Sequence, residues 1–443
     1  MHFSKNDSFL IVGLGISGYS AAKLAAYKGL TFAALDESDN LQLREKKDCL
    51  EELGGTVFLN FREDFLPFST HIVMSPGISP FSKIGNLVAL SGRIVMCELD
   101  FAATFCNSKL LGITGTNGKT TVTEMCTYAL NRLGKKAISA GNIGKPLSEI
   151  VMMGQEFDVI TLEISSFQLH YVDNLNLFAA TILNISSDHI NWHGSYYDYE
   201  NSKKKISKHT ENLIINSELL DLFKDLNQNI KTFGINLGDI CLCSDDCVYL
   251  NFEKLKYKLP NEFIKSGFHN TENLLATVLL INLLDIDVLK ILSSLSGFKY
   301  GSHRLEFVDE IDEVIYINDS KSTNPHSLVA ALRAVGNSKN VCLIAGGLDK
   351  NMDFSIMLSE VDKIKHVFLI GKSQDALEKI LKDILNYSKH FSLKDAVISA
   401  RRIAVKGDVV LLSPGCASMD MFIDYIDRGN HFKTLINRRD FNE

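Results

Sequence analysis

Short, mainly apolar runs recur along the chain: Phe9–Val12, Thr31–Leu35, His71–Met74, Lys109–Ile113, Val159–Leu162, Ala180–Leu183, Val314–Ile317, Val341–Ala345, Val367–Ile370 and Val409–Leu412. Runs of four or five apolar residues bounded by turn residues predict strands buried on both faces. Between them lie stretches with helical spacing, such as Tyr19–Lys28 and Val122–Leu133. Strands alternating with helices predict parallel sheets covered on both faces, an α/β class. From Cys241 to Leu259 the strands become short and close together, which predicts a small antiparallel addition. The longest apolar segment, Leu274–Leu284, is interrupted by Thr277 and Asn282 and stops at Asp285. It reads as a buried helix and not as a membrane span, which needs about 20 apolar residues.

The pattern restarts twice, giving three blocks: 1–97, 98–299 and 300–443. A length of 443 residues agrees with about three domains. Hydrophobic residues at 46% and charged residues at 22% exclude a disordered chain, a collagen-like chain or a coiled-coil rod. A net charge of −7 argues against nucleic-acid binding over the whole surface and leaves only a local basic groove open. The first nine residues carry Lys5 and Asp7 and have no apolar core, so a secretory signal is not expected. The nine cysteines then read as reduced cytoplasmic thiols. Cys241, Cys243 and Cys247 lack the paired spacing of a metal site.

Two glycine-rich turns carry candidate chemistry. Gly115-Thr116-Asn117-Gly118-Lys119-Thr120-Thr121 lies between a strand and a helix. There, backbone N–H groups can surround phosphate oxygens, the lysine can meet the β/γ-phosphates, and the following hydroxyl can reach Mg²⁺. Ile113 stands where the strict phosphate-loop pattern has glycine. The first turn, Gly13-x-Gly15-x-x-Gly18 followed by Asp36, suits the pyrophosphate of NAD, FAD or another nucleotide. Glu163 and Asp188-His189 follow strand ends, where parallel sheets gather ligands. Lys203-Lys204-Lys205, taken alone, reads as a solvated helix face. Asn318–Asn324, Ala345–Lys350 and Ser413–Ser418 follow three further strands and would share one rim.

The combination resembles the Mur ligases of peptidoglycan synthesis. The residues that carry the resemblance are Gly115–Thr120, Gly141-Asn142-Ile143-Gly144, Leu162–Leu169, Leu183–His189 and His303-Arg304. Within that group, Gly13–Gly18, Ser75–Ile78, Asn318–Asn324 and Leu411–Asp420 look like the branch that adds D-glutamate to UDP-N-acetylmuramoyl-L-alanine. The resemblance implies three domains: N-terminal Rossmann-like, central P-loop-type mononucleotide-binding and C-terminal Rossmann-like. It also implies an ATP-dependent, cytoplasmic, monomeric enzyme with two Mg²⁺ ions, no nucleic-acid partner and no membrane insertion.

Residue by residue, it implies that Gly15, Ser17, Gly18, Asp36 and Ser75 line the uridine-nucleotide pocket and that Asn142 faces the muramoyl group. The loop Gly115–Thr121 would hold ATP, with Lys119 on the phosphates and Thr120 near Mg²⁺. Glu163 would serve the first ion and His189 the second. Lys203, four residues after Tyr199, matches the family lysine carboxylated on its ε-nitrogen. Asn270 and Asn273 would meet the base and ribose side of the nucleotide, and Arg304, Asp319 and Lys321 would meet ATP from the third domain. Thr323, Lys350, Ser418 and Tyr425 would receive D-glutamate. An NAD-dependent oxidoreductase built on the first turn is the competing enzyme class, and the second glycine loop counts against it.

Overall fold

The computed structural model describes residues 3–4, 6–226, 229–242, 247–251, 255–259, 263, 268–348 and 352–437. The chain separates into two compact units. The first comprises Met1–Ile185, His189–Leu259 and Glu272–Ser296, and the second Ser186–Asp188, Pro260–Thr271 and Gly297–Glu443.

The first unit carries two sheets. The N-terminal one contains β1 (Ser8–Val12), β2 (Thr31–Leu35), β3 (Thr56–Phe58), β4 (His71–Met74) and β5 (Ile94–Cys97), ordered β3-β2-β1-β4-β5 and wholly parallel. The order reverses at β1, so a crevice opens at the C-terminal ends of β1 and β4, the ordinary ligand position in such sheets.

The second sheet contains β6 (Lys109–Thr114), β7 (Ala137–Gly141), β8 (Val159–Glu163), β9 (Ala179–Ile182), β10 (Asn212–Asn216), β11 (Asn229–Ile235), β12 (Ile240–Leu242), β13 (Cys247–Leu250) and β14 (Leu255–Lys258). From one edge it runs β7-β8-β6-β9-β10-β11-β12 in parallel, then adds β13 and β14 antiparallel. The antiparallel pair is the addition that the short strands predict. The apolar segment after residue 268 forms the helix Phe268–Asn282, with Leu274, Leu275, Leu279 and Ile281 buried. No described helix is long and apolar enough to cross a membrane.

In the second unit, β15 (Glu306–Ile311), β16 (Val314–Asn318), β17 (Val341–Gly346), β18 (Ile364–Ile370), β19 (Tyr387–Lys389) and β20 (Val409–Leu412) run β15-β16-β20-β17-β18-β19. Only β15 is antiparallel to its neighbour. The apolar pattern does not predict β15: as an edge strand it keeps Asp309 and Glu310 within Glu306–Ile311 and is only partly buried.

One apolar core joins the two sheets of the first unit, running from Ile11 and Leu24 through Phe101 to Ile150, Leu162 and Ile182. Each such side chain contributes roughly 1.5–3 kcal/mol when fully buried. The join also contains a buried carboxyl. Glu98, at the start of the helix Glu98–Ala103, accepts a hydrogen bond from the Ser148 amide at 2.6 Å, while its Oε2 has no partner. Burial, reinforced by Glu149 and Asp100, pushes its pKa up to about 7. A raised carboxyl pKa gives stability that is full below the unfolded value near 4.5 and is lost as pH rises through about 7. Glu98→Gln, which keeps the acceptor and removes the charge, is therefore expected to be more stable than the parent at pH 8 by about 1–3 kcal/mol. Thermal unfolding across pH should show that gap closing by about pH 5; a gap independent of pH would show that the carboxyl does not ionise there.

Candidate active site

The phosphate loop follows the C-terminal end of β6, which lies between β8 and β9. Gly118 caps the helix Lys119–Arg132 in a left-handed conformation (φ +85°), and a Cβ there would collide with the Asn273 side-chain oxygen. Only glycine satisfies both constraints. Ile113 is fully buried within β6, so the departure from the strict glycine pattern is a core residue one position before the strand's end. Asn184, just past β9, clamps the loop: its carbonyl accepts from the Thr116 amide at 2.9 Å and its Oδ1 from the Asn117 amide at 2.9 Å. Thr120 is half-buried and Thr121 buried in the first helical turn.

Two lysines converge on this loop. Lys119 Nζ donates to the carbonyls of Gly115 and Thr116, each at 2.9 Å. Lys203 Nζ donates to the same Gly115 carbonyl at 2.8 Å. Lys203 is 1% exposed, which overturns the solvated-face reading of the lysine run; Lys204 and Lys205 are only half-buried. The reason is helical spacing. On the helix Tyr196–Lys204, Tyr199 and Lys203 share a face, the ammonium lies 4.9 Å from the Tyr199 ring, and the Tyr199 hydroxyl pairs with Thr116 Oγ1 at 2.8 Å. Two cations against one loop make a strong anion-attracting locus.

Glu163 ends β8 and is 3% exposed. Its Oε1 accepts from Asn142 Nδ2 at 2.7 Å, while Oε2 is buried with no hydrogen-bond partner. An unsatisfied buried carboxylate oxygen costs free energy unless a cation or solvent answers it. Among the described residues no three His, Cys, Asp or Glu side chains cluster as a metal cage. Glu163, opposite Ile113 at the strand ends, offers one carboxylate beside the phosphate loop, and Mg²⁺ keeps several waters and takes one or two carboxylates beside phosphate oxygens. His189 has φ +54° and sets its ring edge-on to Phe167 at 4.7 Å. Asn273 and, three residues earlier, Asn270 are buried on the helix Phe268–Asn282.

At the N-terminal sheet the structure brings together Gly15, Asp36 and Ser75. A Cβ at Gly15 would lie 3.5 Å from Ser75 Oγ, and Asp36 Oδ2 accepts from the Leu14 amide at 2.8 Å. Gly18 packs so closely on the Gly13 carbonyl that no side chain fits. Ser17 is half-buried in the first turn of the helix Ile16–Tyr27.

In the second unit the polar loops after β16, β17 and β20 do share one rim. Asp319 is buried, accepts from Ser413 Oγ at 2.8 Å and from the Leu305 amide at 3.1 Å, and burial raises its pKa to about 7 against the pull of those bonds, Arg304 and Arg428. Arg304 is presented by a turn whose flanking residues, His303 (φ +66°) and Leu305 (φ +45°), are both left-handed. Lys321 Nζ sits 3.9 Å over the Tyr425 ring. Ser418 Oγ is buried with no hydrogen-bond partner, and Thr323 is half-buried. Lys350 lies outside the described residues.

Arg428 is a residue the sequence reading does not single out. Fully buried on the helix Tyr425–Asn437, it donates to Ser320 Oγ (2.9 Å), Ser320 O (2.8 Å) and Cys416 O (3.1 Å), tying the loops after β16 and β20. Arg428→Met is expected to cost about 3 kcal/mol, since hydrogen bonds from a charged donor are the strong kind and their acceptors would be left buried. A urea midpoint matching the parent's would show those bonds to be dispensable.

Residues 113–281 match the Mur ligase middle domain and residues 303–416 match the Mur ligase glutamate ligase domain. Proteins named UDP-N-acetylmuramoylalanine--D-glutamate ligase match over nearly the whole length. That of Caldanaerobacter subterraneus is 34% identical and covers 98% of both chains; that of Streptococcus pneumoniae is 34% identical over 97% of this chain and 96% of its own. Among solved structures, the MurF ligase of Thermotoga maritima in complex with ADP superposes with a TM-score of 0.63 at 16% identity, covering 92% of this chain and 95% of its own. The UDP-N-acetylmuramate-alanine ligase MurC of the same organism gives 0.57 at 20%, covering 96% and 98%. These structures share the fold. A phosphate loop flanked by two lysines, two matching domain families and full-length relatives above 30% identity lead to one conclusion: the chain belongs to the Mur ligase family.

Proposed function

We propose that this protein is an ATP-dependent ligase that joins D-glutamate to UDP-N-acetylmuramoyl-L-alanine, releasing ADP and phosphate. The observation that carries the reading is the convergence of Lys119 and Lys203 on the Gly115 carbonyl, in a chain whose full-length relatives bear that ligase's name.

The chemistry follows from leaving groups. A carboxylate does not react with an amine near neutral pH, because oxide would have to leave. Transfer of the γ-phosphoryl group to the carboxylate makes an acyl phosphate, from which the amine displaces phosphate. Two anions must first approach, so cations are required, and Lys119 supplies one at the phosphate loop. Glu163, through its unsatisfied Oε2, and Thr120 would hold Mg²⁺, with His189 and a carboxylated Lys203 serving a second ion. The ions would neutralise charge on the phosphate oxygens. Carboxylation turns the Lys203 ammonium into an anion, which suits a metal where an ammonium would repel it.

Gly15, Ser17, Gly18, Asp36 and Ser75 bind the uridine nucleotide in this reading. Asn142, held against Glu163, faces the muramoyl end. Asn270, Asn273, Arg304, Asp319 and Lys321 contact ATP. D-Glutamate carries two carboxylates; Ser418, with its unsatisfied buried hydroxyl, Thr323, Lys350 and Tyr425 receive it. We also place the protein in the cytoplasm as a monomer, with domains at 1–97, 98–299 and 300–443.

The test is phosphate release from ATP with UDP-N-acetylmuramoyl-L-alanine and, in turn, D-glutamate, L-glutamate, L-alanine and diaminopimelate. Release that depends on D-glutamate is expected. Preference for another amino acid would overturn the substrate, and no amino-acid-dependent release at all would overturn the ligase reading.

A further inference from the structure

Behind the phosphate loop lies a buried imidazole to which none of the roles above is assigned. His193, at the end of the short helix Ile190–His193, is 2% exposed. Its Nε2 is 3.0 Å from Ser166 Oγ and its Nδ1 is 3.4 Å from Ser202 Oγ. The Ser202 hydroxyl spends its one proton on the Asp198 carbonyl at 2.8 Å, so toward His193 it can only accept. Nδ1 therefore carries the ring proton, and Nε2 accepts from the Ser166 hydroxyl. The ring is held edge-on to Tyr199 at 5.3 Å and stacked on Phe167 at 5.6 Å.

Each partner serine belongs to a segment that delivers a functional group. Ser166 opens the helix Ser166–Tyr171 three residues after Glu163, and Ser202 directly precedes Lys203. We propose that His193 is a positioning residue: bonded to Ser166 and Ser202 at once, its ring fixes the helix Tyr196–Lys204 against the end of β8 and so sets where Lys203 Nζ and Tyr199 OH meet the phosphate loop. The effect on turnover rests on the ligase reading; the placement of Lys203 does not.

Lysine acetylation by acetic anhydride in carbon-dioxide-free buffer, read peptide by peptide by mass spectrometry on the full chain, separates the two. His193→Phe fills the ring's space without its polar atoms, and Ser166→Ala removes one bond while leaving the ring. If His193→Phe fails to fold, Ser166→Ala carries the test. Lys203 is expected to label roughly fivefold faster in His193→Phe and about twofold faster in Ser166→Ala, with Lys109 and Lys136 unchanged. With ATP and both substrates, kcat should fall about tenfold in His193→Phe while KM for the uridine nucleotide stays within about threefold. An unchanged Lys203 labelling rate, or a rise shared equally by all lysines, overturns the proposal. A parent enzyme that releases no phosphate would sink the ligase reading and leave the labelling result standing.

Discussion

Lys119→Ala is expected to lower phosphate release by about a thousandfold or more, equivalent to ~4 kcal/mol of transition-state stabilisation. Lys119 Nζ holds the Gly115 and Thr116 carbonyls, so the substitution removes both a loop brace and one of the two cations at the loop. Alanine at the first helical position after Gly118 keeps the backbone in place, because Gly118 sets the loop's left-handed turn. The check is steady-state release with saturating UDP-N-acetylmuramoyl-L-alanine and D-glutamate, with circular dichroism to show an unchanged fold. Near-parental turnover would remove Lys119 from the reaction.

The second large effect belongs to Lys203. Lys203→Ala is expected to be inactive within the assay's range and to regain part of its turnover when formate or acetate is added. A small carboxylate would enter the space left by the side chain and replace the anion of the proposed carbamate. The structure makes the experiment interpretable. Lys203 is enclosed between the Tyr199 ring and the Gly115 carbonyl, so its removal leaves a defined hole beside the phosphate loop. Full activity of the parent in bicarbonate-free buffer, together with no rescue of the variant, would remove the carbamate and leave Lys203 as a simple cation.

Much of the architecture is legible in the sequence because buried parallel strands are continuous apolar runs, and His71–Met74 and Val409–Leu412 fall where the runs place them. β15 escapes because an edge strand may keep its acids. β3 and β19 escape because three residues are too short to show a period. At the site, the glycine turns are legible because a close backbone contact at Gly18 and a left-handed φ at Gly118 restrict residue type. Lys203 is legible only through its count from Tyr199; charge patterning alone puts it in solvent, the wrong side. Asn184, His193 and Arg428 act by bonding to backbone or hydroxyl groups far away in sequence, from 320 to 428 in the arginine's case, and no local spacing announces that.

Among the described strands the nine-stranded sheet ends at β14, whose sequence Leu255-Lys256-Tyr257-Lys258 carries two exposed lysines. An open strand is a template on which another polypeptide can zip, and clustered like charges make a second copy of the same strand a poor fit. The two ammonium groups thus keep that edge from zipping onto a second copy of itself. Were both changed to threonine, the rim would gain β-propensity and lose its repulsion, and concentrated enzyme should begin to self-associate through that flank.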